Sequence, residues 1–263
     1  MRGQLLLVSV NLTLSHLKEI SAEFRRFTVS NYFSYIIKLF PFLLLILASA
    51  NSHAAFILNS TRYIFTGDRD NISIQVNNES SQEYGGQIWI ENQNQNDQNV
   101  YFAPSPTFFK IAESHKQILR ILKINDNLPK DRESLFWVNV QEIPKAPKEG
   151  TNSLAIALHT QVKMIYRPIV LKDGRDNAEA NIKFINEDNG TVLFNDSPYY
   201  FAIINVKQNG HDVKLSESIK NKIAVFAPFE KISLDTKLSG DSISVIAFDD
   251  YGVDREYKIS SGH

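Results

Sequence analysis

The chain has 263 residues, with 28 Lys and Arg against 29 Asp and Glu, six His and no Cys. A net charge of −1 leaves no basic excess for holding nucleic acid. Without cysteine no disulfide can form, so each domain must be held by its own apolar core.

Residues 1–54 read as an export signal. Leu39–Ala50 (LFPFLLLILASA) is an apolar run behind Lys38, with Arg25 and Arg26 upstream and Pro41 inside it. It is shorter than the roughly 20 apolar residues of a spanning helix. Basic flank, short apolar core and small residues at Ser52-His53-Ala54 predict a signal peptide cut after Ala54. The stretch ahead of the apolar run is long for a signal, and a translation start near Val29 would account for it. Residues 1–54 hold five of the basic and two of the acidic residues, so the exported part keeps 23 against 27, a net of −4. That part is long enough for one large or two ordinary domains.

From Phe56 on, the pattern is strands and turns. Phe56–Phe65 is extended and rich in β-formers, and Gly67-Asp68 and Asp70-Asn71 punctuate the chain after it. Ile72, Ile74 and Val76 alternate with Ser73, Gln75 and Asn77, a half-buried strand. Gln87–Glu91, Ile118–Ile124 and Leu135–Val140 are further strands, and the polar Gln93–Asn99 tract is a solvated hairpin loop. Asn152–Pro168 predicts one long strand. Leu154, Ile156 and Leu158 share a face, and Val162, Met164 and Tyr166 continue that parity. Large apolar side chains on one face suit either the protein's own core or a second protein, and alternation alone does not choose. Pro168 ends the strand.

Lys172–Asn177 (KDGRDN) is charged, carries Gly174 and reads as a linker. Short strands follow at Ile182–Ile185, Val192–Phe194, Tyr199–Val206, Lys222–Phe226 and Ile243–Phe248, and no segment after residue 54 has a helical period. Regular short strands between turns predict an all-β chain of two sandwiches, over 55–172 and 177–263, joined at 173–176.

The chain has no nucleotide loop, no Gly-x-Ser-x-Gly elbow and no His-Glu-x-x-His. His115, His159 and His211 are scattered, and the acidic pairs Asp68/Asp70 and Glu187/Asp188 lack a calcium-loop spacing. The expectation is a protein that is not an enzyme and uses no cofactor or metal.

Several blocks carry a family resemblance: Thr61–Phe65, Asp131–Val140 (DRESLFWVNV), Glu142-Ile143-Pro144, Asn152–Leu158 and Lys163–Pro168 (KMIYRP). Asn195–Tyr200, Ala227-Pro228-Phe229 and Asp249–Gly252 fit more loosely. With these the chain resembles the periplasmic chaperones of the chaperone–usher pathway, the PapD-like family. The family is an established example of Ig-like sandwiches, as its grip on pilins is of strand addition. The resemblance implies two Ig-like domains at an angle with a cleft between them. It implies pilus or fimbrial subunits and an outer-membrane usher as partners, and it is compatible with a self-capping homodimer when free. It implies that Arg62 and Lys163 grip a subunit's C-terminal carboxylate, chemistry suited to two cations in a cleft. Leu154, Ile156 and Leu158 would fill the subunit's open groove, and Glu133, Arg167 and Asp250, with Asp249 as the alternative to Asp250, would form an interdomain ion cluster. The short Lys145–Thr151 connection resembles the short-loop subclass of rod-like pili. The competing reading is a secreted Ig-like adhesin or a pilus subunit itself. A subunit would usually carry a donor extension near its N-terminus, whereas here two full strand sets are expected.

Overall fold

A computed structural model of the chain describes residues 55–146, 156–239 and 242–262. The predicted signal peptide with its cut after Ala54, Leu154 and most of the connection before the long strand lie outside the described residues.

Nine strands build the first sandwich: β1 (Phe56–Leu58), β2 (Arg62–Thr66), β3 (Asn71–Asn78), β4 (Tyr84–Asn92), β5 (Phe102–Ser105), β6 (Phe108–Ile111), β7 (Lys116–Lys123), β8 (Ser134–Ile143) and β9 (His159–Arg167). They form two sheets, in the orders β1-β3-β7-β5 and β2-β9-β8-β4-β6. The chain changes sheet between β1 and β2, so its first strand pairs antiparallel with β3 and its second runs parallel to β9. Alternation decides which side chains fill the space between the sheets. Ile72, Ile74 and Val76 from β3 meet Leu119 and Ile121 from β7, Phe136, Val138 and Val140 from β8, and Met164 from β9. Gly86 leaves room at one end of this core. A Cβ there would lie 2.4 Å from the Phe109 ring and 2.8 Å from that of Phe56, and those two rings stack at 5.8 Å.

The second sandwich contains β10 (Ile182–Glu187), β11 (Gly190–Asn195), β12 (Ala202–Gln208), β13 (His211–Asp212), β14 (Lys231–Ser233), β15 (Ile243–Phe248), β16 (Asp254–Lys258) and β17 (Ser260–Ser261). Its sheets run β14-β11-β10-β17 and β13-β12-β15-β16. Phe201, Ile203, Val206, Phe226 and Val245 are fully or almost fully buried between them.

Two expectations need correction. Between β13 and β14 lies a helix, α1 (Glu217–Ile223), where no helix was expected and where Lys222–Phe226 read as a strand. Ser216 caps it by accepting the Ile219 N–H at 3.3 Å. Ile219 and Ile223, four apart and both buried, hold it on the core. The long strand is also shorter than its alternation suggested. Pairing of β9 with β8 runs only from His159 to Tyr166 among the described residues, and 156–158 are not strand.

Candidate functional site

Strand β2 pairs with β9 in parallel register, beginning at Arg62 opposite Lys163 and ending at Thr66 opposite Arg167. Partners in a ladder share a face, so the two cations come side by side. They line one small pocket with Leu135 and Ile165 of the first sandwich and Tyr200, Phe201, Ala202, Ala224 and Val225 of the second. Both already serve the second sandwich. Arg62 Nη1 donates to the carbonyls of Asp249 at 2.7 Å and Phe248 at 3.3 Å, and Lys163 Nζ donates to Ala224 at 2.5 Å. Donor capacity remains. An ammonium has three N–H groups, and the buried Arg62 Nε has no partner among the described residues. Burial, and after it the neighbouring Arg62 charge, push the Lys163 ammonium down to about 8.

Because β2 begins at Arg62, it covers the edge of β9 only from Lys163 onward. From His159 to Val162, β9 is paired with β8 on one side, and on its other side no described residue pairs with it. Just before that open edge, Ile156 and Leu158 are exposed, at 64% and 42% of their surface. Neither belongs to the protein's own core, whereas Met164 further along the strand is fully buried in it.

At the other end of the β2–β9 ladder an ion cluster joins the sandwiches. Arg167 Nε donates to Glu133 Oε1 at 2.6 Å, and its two terminal nitrogens donate to Asp250 at 2.7 and 2.9 Å. Glu133 Oε2 accepts the N–H of Tyr200 at 2.7 Å. Burial works against a charge on Arg167, but the bonds to Asp250 and the charges of Glu133 and Asp250 outweigh it and hold the guanidinium above its ordinary value. The neighbouring Asp249 is used differently. Its carboxylate accepts the N–H groups of Tyr251 and Val253, at 2.9 and 3.0 Å, and meets Arg255 Nε at 3.0 Å, which folds the turn.

Arg175 and Glu179 were not singled out from the sequence. Arg175, in the stretch read as a linker, is buried and binds Glu179 through two bonds of 2.8 and 2.6 Å, and its Nε lies 3.5 Å from Asp250. The one available signal was an Arg four residues ahead of a Glu. The backbone carbonyls of Ala224, Phe248 and Asp249, which receive the two cations, leave no mark in a sequence.

Comparison with known proteins places both sandwiches. Residues 55–172 match the family model described as pili and flagellar-assembly chaperone, PapD N-terminal domain. Residues 177–259 match that of the pili assembly chaperone PapD, C-terminal domain. The chaperone protein FanE of Escherichia coli is 52% identical over 211 residues, covering 80% of this chain and 92% of the relative. Among solved structures, the periplasmic chaperone SfaE is similar with a TM-score of 0.61 at 26% identity, covering 78% of this chain and 99% of that one. A chain in the structure of the Salmonella enterica SafA pilin with the SafB chaperone has the same fold. The TM-score is 0.66 at 22% identity, covering 80% of this chain and 97% of that one.

Proposed function

The chain belongs to the PapD family of pili assembly chaperones, and from that premise we propose that it captures a pilus subunit along the open edge of β9 and hands it on to an outer-membrane usher. The chain is a chaperone of fimbrial assembly, of a family that works in the periplasm. That reading fits better than a secreted adhesin or a pilus subunit. The exported form is proposed to begin at Ala55, which amino-terminal sequencing of secreted protein reads directly.

The observation that carries the proposal is where β2 stops. The slot beside His159–Val162 is empty of described residues and ends against Arg62 and Lys163. A strand lying there parallel to β9, in line with β2, would bring its C-terminal carboxylate against both cations. Laid antiparallel, the same C-terminal strand would carry its carboxylate away from both cations and lose their attraction. The polarity of the guest therefore follows from the position of the charges. Anchoring its last residue fixes the register, and register matters because a one-residue slip exchanges the two faces of a strand. With the register fixed, Leu154, Ile156 and Leu158 would enter the guest's groove and close its unpaired edge. Glu133, Arg167 and Asp250 would hold the sandwiches in the geometry that this requires.

Co-expression with a subunit tests the anchor. Arg62→Ala and Lys163→Ala should leave the chaperone folded and prevent the subunit from accumulating in the periplasm. Undiminished accumulation with both variants would overturn the carboxylate grip.

A further inference from the structure

Glu142 is a carboxylate where the alternation of β8 calls for a core side chain. Phe136, Val138 and Val140 precede it on the inward face, and Glu142 is itself 5% exposed. Among the described residues no cation pairs with it. Its two oxygens accept main-chain N–H groups instead, Oε1 from Phe56 at 2.8 Å and Oε2 from Leu158 at 3.4 Å. Phe56 opens β1, in the opposite sheet, and Leu158 is the residue just before β9. One carboxylate thus ties together the first strand, the end of β8 and the residue at which the donated segment leaves the sheet.

The bonds around Leu158 show how that exit is made. In a regular antiparallel ladder, the residue opposite Glu142 would exchange two main-chain bonds with it. One is present, from the Glu142 N–H to the Leu158 carbonyl at 2.9 Å. The Leu158 N–H turns to the Glu142 side chain instead, and the Leu158 carbonyl takes a second bond, from Gln141 Nε2 at 3.0 Å. The side chain replaces a ladder acceptor, so regular pairing ends at His159. A buried carboxylate that no described cation pairs is costly unless its acceptors are used, which couples Glu142 to the two N–H groups it holds, closely to Phe56 at 2.8 Å and at longer range to Leu158 at 3.4 Å.

We infer that Glu142 is a positioning residue for strand donation: it fixes the point at which the donated segment departs from β8, and so the register in which Ile156 and Leu158 are presented to the subunit. This rests on the proposed donation of that segment. The arm of Glu142 toward Phe56 is anchored in the other sheet, and the arm toward Leu158 sets the segment. Removing the second arm should loosen presentation while the sandwich stays closed.

The natural absence of cysteine makes a register assay clean. Ile156→Cys, co-expressed with a subunit carrying one cysteine at successive groove positions, reports by disulfide trapping which position it meets. In the otherwise unaltered chaperone one position should dominate, and failure to trap any would sink strand donation itself. Glu142→Gln keeps the shape and one oxygen acceptor, enough for Phe56 but not for both N–H groups. It should lower trapping at the dominant position about tenfold, as for loss of a charged hydrogen bond, and spread it to neighbouring positions. Glu142→Asp, which keeps both oxygens, should restore much of the yield. Amide exchange on the free Glu142→Gln protein should quicken at Leu158 and not at Phe56. Unchanged trapping in Glu142→Gln, with equal exchange at Leu158, would overturn the role of Glu142 and leave strand donation standing.

Discussion

Lys163 is the group through which pH should reach the proposed carboxylate grip. In the free chain it titrates at about 8, because it is buried and faces Arg62. A carboxylate docked beside it supplies the opposite charge and raises that pKa, so docking takes up a proton between about pH 8 and that raised value. Proton uptake on binding means weaker binding as pH rises, by at most about tenfold per pH unit for one group. The fall should begin near 8, continue to the higher pKa of the complex, and be absent below 8, where Lys163 is charged in both states. The free protein should behave oppositely. Its folded pKa lies below the unfolded value of about 10.4, so the unfolded chain binds more protons and stability rises with pH between the two. The assay is a titration with a synthetic peptide matching a subunit's C-terminal strand, followed by Trp137 fluorescence. Lys163 Nζ lies 5.9 Å from the centroid of that ring. The peptide amide is the control, and it should bind weakly and without the alkaline fall. Lys163→Arg, which stays charged throughout, should flatten the profile of the free-acid peptide. An affinity that is the same on both sides of pH 8, or an amide that binds as well as the acid, would refute the reasoning.

Ile156→Asp should leave the melting of the free chaperone within about 0.5 kcal/mol of normal, because an exposed site tolerates change. It should abolish co-purification with a subunit: burying the rest of an isoleucine contributes about 1–2 kcal/mol, and an aspartate in an apolar groove costs several more. A complex that survives would refute donation of that face. Arg167→Ala leaves Glu133, whose side chain is fully buried, without its guanidinium and should cost about 3–5 kcal/mol in urea unfolding. Lys172→Ala removes the exposed pair with Asp68 and should change nothing measurable, so equal losses in the two variants would contradict the contrast between buried and exposed pairs.

The sheet architecture was legible because half-buried strands write their faces into the sequence. Ile72, Ile74 and Val76 alternate with polar neighbours, and they are the residues found in the core. Alternation was less informative where its physical cause was ambiguous. The apolar parity of Leu154, Ile156 and Leu158 continues that of Met164, yet Met164 is buried in this molecule while Ile156 and Leu158 face outward. Alternation marks a face as apolar and does not say whose core that face fills. Helix α1 was missed because only Ile219 and Ile223 mark its buried face, too few positions to establish a period. Arg175 was missed for a different reason. Charge, glycine and aspartate compose solvated linkers, but here the same residues enclose an ion pair with Glu179, and composition cannot separate the two.

The proposed carboxylate grip and the ion cluster meet in one turn, and the cost of breaking each set of contacts should decide which gives way on binding. Phe248 and Asp249 accept Arg62 through their carbonyls, and Asp250 accepts Arg167 through its carboxylate. Gly252, at φ 82°, brings the turn against Thr61, whose hydroxyl would lie 3.0 Å from any Cβ placed there. Three consecutive residues thus serve both sites. The Arg62 bonds go to neutral carbonyls, though the donor is charged, and the one to Asp249 can be exchanged by itself for about 1.5–3 kcal/mol. Breaking the buried Arg167 contacts would strand charge and cost about 3–5 kcal/mol. An arriving carboxylate offers Arg62 a charged acceptor in exchange for a neutral one, a replacement that needs little domain movement. The same carboxylate gives Arg167 no reason to leave Asp250. A structure of the subunit complex should therefore find Arg62 turned from Asp249 to the guest carboxylate with the Arg167 bonds intact. A complex in which Arg167 has left Asp250 while Arg62 still holds the turn would reverse this ordering of strengths.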